Sequence, residues 1–187
     1  RDPAHGHRFE PAQTLIDPWA CGLLGPTDLL ARPDAQPIPH SLVVNHAAER
    51  AAGAAIAPRP RIAADRVVIY EAHVKSLTRL HPGVPEAQRG TYAGLASPAM
   101  LAHLKTLGIT TVCLLPVHQH ISERHLLARG LSNHWGYNTL SAFAPEPAYA
   151  AATKGSDPSD ADEAATVRAE FRLMVDALHR AGIEVVL

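Results

Sequence analysis

With only two cysteines in 187 residues, Cys21 and Cys113, the chain has no material for a disulfide framework. Cys113 lies in the apolar run TVCLLPV, the ordinary setting of a buried free thiol, and a cytoplasmic location is expected. An excess of basic charge is also missing. Lys and Arg number 17 against 18 Asp and Glu, the net charge is -1 and the pI is about 6.9, so no partner is expected among nucleic acids or anionic lipids. No apolar run approaches the ~18 residues of a membrane span, and no charged start followed by an apolar core marks a signal peptide. A Gly-rich phosphate loop, a nucleophile elbow and a Cys-His pair at usable spacing are all lacking, and no cofactor is expected. The first residue is Arg1 rather than a methionine, and the expectation is a piece of a longer protein.

Aromatics are scarce at 5% of residues, yet three of them, with two prolines, gather in SNHWGYNTLSAFAPEP, Ser132 to Pro147. Trp135 and Tyr137 flank Gly136, a residue that lets the backbone turn closely and present a ring. A flat aromatic face with a polar handle suits the C-H face and hydroxyls of a sugar. The alternative is a satellite packing cluster under a long loop.

Residues 1–46 are rich in Pro, His and Ala and carry only short apolar pieces such as QTLIDPWA and HSLVVNHAA, which reads as short extended segments. Ala47 to Arg61 is low in complexity and ends in X-Pro steps that favour extended backbone, so a linker is placed at 47–62 and a second domain at 63–187. There the pattern changes. RVVIYEAHV (Arg66 to Val74) reads as a strand buried on at least one face. After a Pro- and Gly-studded loop, Ser97 and Pro98 form an N-cap and N1 pair, Leu101, Leu104 and Leu107 form an apolar stripe, and Gly108 stops the helix before the strand ITTVCLLPV.

The last third repeats the design. Val167, Phe171, Met174, Val175 and Leu178 share a helical face, Gly182 is the stop, and IEVVL is a strand. Leu101, Leu104, Gly108, Ile109 and Val112 align with Val175, Leu178, Gly182, Ile183 and Val186 at a constant offset of 74. Repeated helix-to-strand units imply a parallel α/β sheet, because each strand needs a crossover helix to return in the same direction. A closed parallel barrel needs eight strands and about 250 residues, and only three strands are legible here. Ligands bind beyond the carboxyl ends of such strands, where the aromatic stretch follows the second one.

Other candidates have competing readings. His118, His120, His125 and His134 crowd one region, and HQH places His118 and His120 on one side of an extended segment; a metal site competes with solvated or core-edge imidazoles, which are favoured. Glu71 and His73 fall on one face of the first strand with Val67 and Ile69, as a catalytic pair or, by preference, a structural support. The acidic run Ser156 to Ala165 reads as an exposed turn and a helix N-terminus. No facing pair of carboxylates of the kind glycoside hydrolysis requires is evident.

Four stretches, GHRFEPAQTLIDPWA, VVIYEAHVKSLTRLHPGVPEAQRGTYAGLASPAMLAHLKTLGITTVCLLPVHQH, HWGYNTLSAFAPEPAYA and EFRLMVDALHRAGIEVVL, resemble the isoamylase-type bacterial glycogen debranching enzymes of the α-amylase superfamily of glycoside hydrolases. They are collinear and span nearly the whole chain apart from the linker and an insertion around Ala151 to Thr166. The resemblance implies a (β/α)8 TIM barrel, of which residues 63–187 are the first three β/α units, preceded at 1–46 by the tail of an immunoglobulin-like β-sandwich module that helps bind glycogen. It implies hydrolysis of α-1,6 branch linkages with retention by an Asp nucleophile, a Glu acid/base and a second Asp, all on later strands, and an Asp-x-x-x-Asn-His continuation after GIEVVL. The chain alone is then expected to be inactive, with no catalytic residue and no metal ligand of its own. Tyr137 matches the tyrosine that stacks on the sugar whose bond is cleaved, and Trp135 and Asn138 shape the same loop. An α-glucan is the implied partner. His134 departs from the family pattern, which commonly has a tyrosine or another aromatic there. The alternatives are a non-enzymatic or vestigial glucan-binding module and, within the superfamily, a branching enzyme or a malto-oligosyltrehalose trehalohydrolase.

Overall fold

The computed structural model describes residues 3–6, 14–27, 38–53, 55–153 and 156–187. Its centre is a three-stranded parallel sheet in the order β3-β4-β7, formed by Ile69–Ala72 (β3), Thr111–Leu114 (β4) and Glu184–Val186 (β7). A short helix α2 (Val74–Thr78), the turn-like helix α3 (Tyr92–Leu95) and helix α4 (Pro98–Thr106) connect β3 to β4. The 20-residue helix α6 (Ala161–Arg180) leads into β7.

Local signals explain these elements. The Ser97 side chain accepts from the Met100 amide with Pro98 in the first turn, as its spacing predicts. At the other end Leu107 bonds to His103, Gly108 to Lys105 and Ile109 to Leu104; Ala181, Gly182 and Ile183 bond to Ala177, His179 and Leu178. Each of these bonds recurs at the offset of 74, with Gly108 at φ +73° and Gly182 at φ +81°, where a side chain would strain the chain reversal. Asp160 caps α6 by accepting from the Asp162 and Glu163 amides, and Glu163 reaches back to Ser159, so the acidic run is the expected turn and helix start.

The core lies between one face of the sheet and the helices. Ala72, Val112 and Leu114, with the partly buried Tyr70 and Val185, meet Met100, Leu104, Val167, Met174 and Leu178, while Phe171 and Val175 pack at the margin. The α6 face is the expected one. The α4 face is rotated: Met100 and Leu104 are buried, Leu101 is partial and Leu107, the C-cap residue directly after Thr106, is half exposed. The other face carries two cross-strand rows, Ile69-Thr111-Glu184 and Glu71-Cys113-Val186. Ile69 is 64% exposed there, Glu71 is exposed and Cys113 is only partly buried.

Several expectations are corrected. The first strand spans Ile69–Ala72 rather than 66–74, because His73 leaves the ladder to cap α2. The expected linker begins as helix α1 (His46–Ala52), capped by the Asn45 side chain, and only 55–63 lacks regular structure. It is strapped to α6 and β7. Arg168 pairs with Glu49 at 2.6 Å, Asp176 accepts from the Ala57 amide, His179 meets the Ala57 carbonyl, and Arg59 approaches Glu184. In the first 46 residues the described regular structure is a short 3-10 turn and two two-residue strands, β1 (Leu23–Leu24) and β2 (His40–Ser41), paired antiparallel; residues 7–13 of the first family-like stretch lie outside the described residues. The second half of the aromatic stretch is not a loop. Thr139–Pro145 is strand β6, antiparallel to β5 (His118–His120) with two register shifts, and the small helix α5 (Arg124–Leu127) lies between them.

Candidate functional site

The segment Ser132 to Asn138 folds over the carboxyl end of β3. The contact is made by His73, the first residue after that strand. Its Nδ1 accepts from the amides of Lys75 and Ser76, so Nε2 carries the proton and donates to the His134 carbonyl at 2.7 Å. The His134 ring stacks on His73 at 4.4 Å and 9°, and its Nε2 meets the Ser76 hydroxyl at 3.1 Å. Burial holds the His73 pKa below the ordinary imidazole value, and the charges of His134, Lys75 and His120 act in the same direction.

A second histidine grips the other side. His120 Nδ1 lies 2.9 Å from Glu146 Oε2 and 3.2 Å from the His118 carbonyl, while Nε2 lies 3.3 Å from the Asn133 carbonyl. Acceptors at both ring nitrogens call for the imidazolium. Burial pulls its pKa down, but the bonded Glu146 carboxylate more than reverses that and holds it above the ordinary value. Glu146 is itself satisfied, accepting from the His120 and Ala148 amides.

Beneath them Tyr149 reaches His73 Nε2 at 3.2 Å, and Tyr92 donates to the Glu146 carbonyl at 3.0 Å. Burial, then the Glu146 charge, pushes both phenols well above their ordinary pKa, so both stay neutral hydrogen-bonding groups. A polar cleft of about 190 Å³ is lined by Lys75, His120, Asn133, His134, Glu146 and Tyr149. A larger, mainly apolar cleft of about 340 Å³ beside Phe143, Phe171 and Leu187 includes neither Trp135 nor Tyr137.

The three aromatics of the stretch behave differently. Trp135 stands edge-on to His134 and His73 and remains 57% exposed. Tyr137 is 71% exposed. Phe143 stacks on Trp19 at 5.0 Å, with both rings more than half exposed. Gly136 between Trp135 and Tyr137 adopts φ +79°, and a Cβ there would lie 3.2 to 3.3 Å from Pro116 and His120. The Asn133 side chain accepts from the amides of Trp135 and Gly136, and Asn138 bonds to Glu123 at 3.4 Å. Trp135, Tyr137 and Asn138 thus share one short turn.

The Glu71 and His73 pairing does not form. The alternation that places Tyr70 and Ala72 on the core leaves Glu71 on the exposed face, while His73 has turned into the α2 cap. At this site a carboxylate and an imidazole meet in Glu146 and His120, 26 residues apart, a contact without a local signature. His118 and His120 share a side of β5 as their spacing predicts, and His125 lies in α5. Among the described residues no group of three or more His, Cys, Asp or Glu is placed to hold a metal, and no helix is long and apolar enough to cross a membrane.

The fold places the chain beside a class of solved structures. The pullulanase of Anoxybacillus sp. LM18-11 complexed with maltotetraose is 26% identical, with a TM-score of 0.60 over 91% of this chain and 23% of that one. The type I pullulanase of Bacillus subtilis complexed with maltose is 25% identical, with a TM-score of 0.61 over 91% and 22%. The closer likeness in sequence is to glycogen debranching enzymes. Those of Yersinia pseudotuberculosis serotype IB and Yersinia pestis are 45% identical over 197 aligned residues, covering all of this chain. The resemblance to bacterial glycogen debranching enzymes thus extends along the whole chain, which spans 28% of the length of those relatives. No family model matches.

Proposed function

We propose that the chain is part of a debranching glycoside hydrolase of the isoamylase type, acting in the cytoplasm on α-1,6 branch linkages of glycogen or limit dextrin with retention. The observation that carries this reading is the 45% identity to glycogen debranching enzymes along all of the chain. Residues 63–187 are read as the first three β/α units of a (β/α)8 barrel, 47–62 as the connection, and 1–46 as the end of a β-sandwich module. The bare sheet face carrying Ile69, Glu71 and Val186 supports the barrel reading, since that face points to a barrel's interior.

Tyr137 is the proposed sugar contact, with Trp135 and Asn138 shaping its turn. Its ring is exposed, and the adjacent Gly136 lies against Pro116, two residues past the carboxyl end of β4; ligands of such sheets bind beyond those ends. The maltotetraose and maltose of the pullulanase complexes support an α-glucan as the partner. The hydrolytic carboxylates are assigned to residues outside these 187. Assayed by itself on glycogen, the chain is expected to release no linear chains; appreciable release would overturn that assignment.

A further inference from the structure

The aromatic turn is held by two imidazoles that take successive carbonyls. His73 Nε2 donates to His134 and His120 Nε2 to Asn133, the two residues directly before Trp135. The two rings come from different places, one from the end of β3 and one from β5, so the carbonyls are gripped from two elements. Their protonation requirements are opposite. His73 must be neutral, because its Nδ1 lone pair receives the Lys75 and Ser76 amides. His120 must be charged, because both its nitrogens face acceptors.

We propose that His73 and His120 are positioning residues for the sugar-facing turn, locking Trp135 and Tyr137 in place through the His134 and Asn133 carbonyls. This rests on the reading of Tyr137 as a glucan contact. The hold has a stated pH window. Lowering the pH protonates Nδ1 of His73 and sets it against the Lys75 and Ser76 amides, so the ring loses its anchor on α2 while Nε2 still donates to His134; raising it strips Nε2 of His120 and sets a lone pair against the Asn133 carbonyl. The groups facing His73 are His134, Lys75, Tyr149 and His120, and those facing His120 are Glu146, Tyr149 and the His118 and Asn133 carbonyls. Burial and these neighbours move the two pKa values apart, widening the window.

The test uses His73→Asn, whose short amide can still cap α2 but cannot reach His134, and His120→Gln, in the full-length protein. Hydrogen exchange of the Trp135 to Tyr137 amides reads the turn without any sugar, and calorimetry with maltotetraose reads binding. Both variants are expected to speed exchange and to weaken binding about fivefold, the weight of one hydrogen bond. In a Tyr137→Ala background they should add nothing further to the loss of binding. Wild-type binding should fall at both ends of the pH range, with the acid fall gone in His73→Asn and the alkaline fall gone in His120→Gln. Unchanged exchange in both variants overturns the proposal, whatever Tyr137 does. So does a loss of binding that persists in full in the Tyr137→Ala background, or one that follows melting temperature without a pH signature. If exchange speeds up while Tyr137→Ala binds maltotetraose like the wild type, the glucan reading fails and the histidine hold stands.

Discussion

The side chains that shape the turn are poised by pairs of contacts, and single substitutions should separate them. Glu146 accepts from the His120 ring, the His120 amide and the Ala148 amide in a site where both partners' side chains are 8% exposed. Glu146→Ala strands a buried imidazolium and two amide donors, and a loss of about 3 kcal/mol is expected in urea unfolding at neutral pH. The pH dependence has two opposed limbs. His73 is lowered in the folded state, so its contribution is full above the ordinary value of about 6.5 and is lost as pH falls through the lowered value. His120 is raised, so its contribution is full below about 6.5 and is lost as pH rises through the raised value. Urea midpoints across pH should therefore lose their alkaline limb, but not their acid limb, in His120→Gln.

Among the elements, the two helix-to-strand reversals offer an internal comparison. Gly108 and Gly182 have nearly the same φ, make the same bonds at an offset of 74, and have nothing within 4 Å of an added Cβ. Gly108→Ala and Gly182→Ala should therefore each cost about 1 kcal/mol, the price of left-handed backbone alone. At Gly136 the same backbone penalty is joined by contacts with Pro116 and His120. Gly136→Ala should cost more in thermal melts than either and, with Tyr137 as the proposed sugar contact, should also weaken maltotetraose binding by displacing its ring. Glucan affinity equal to wild type would show that this turn does not set the ring. The two reversals were legible in the sequence because each is closed by bonds within one turn of chain. The helix α1 was not, since its Ala-rich sequence carries little amphipathic signal and its anchor, Glu49 to Arg168, spans 119 residues.

At the scale of the whole molecule, the described residues clothe the sheet mainly on one side. Leu104, Met174 and Leu178 are fully buried between sheet and helices, and Leu104→Ala or Leu178→Ala should cost about 2 to 5 kcal/mol in denaturant unfolding. The opposite face presents Ile69 and Val186 to solvent, and the 187 residues made alone are expected to self-associate, visible as a concentration-dependent sedimentation coefficient. The sequence by itself determined the parallel α/β design, the caps at Ser97 and Asp160, and the turn around Gly136, because periodicity, capping and glycine backbone preferences act within a few residues. Only the tertiary structure decided that Glu71 stays apart from His73, that Glu146 finds His120, and that two histidines close on successive carbonyls. Those outcomes depend on which strands become neighbours, and that is settled by burial of the shared core rather than by any local signal.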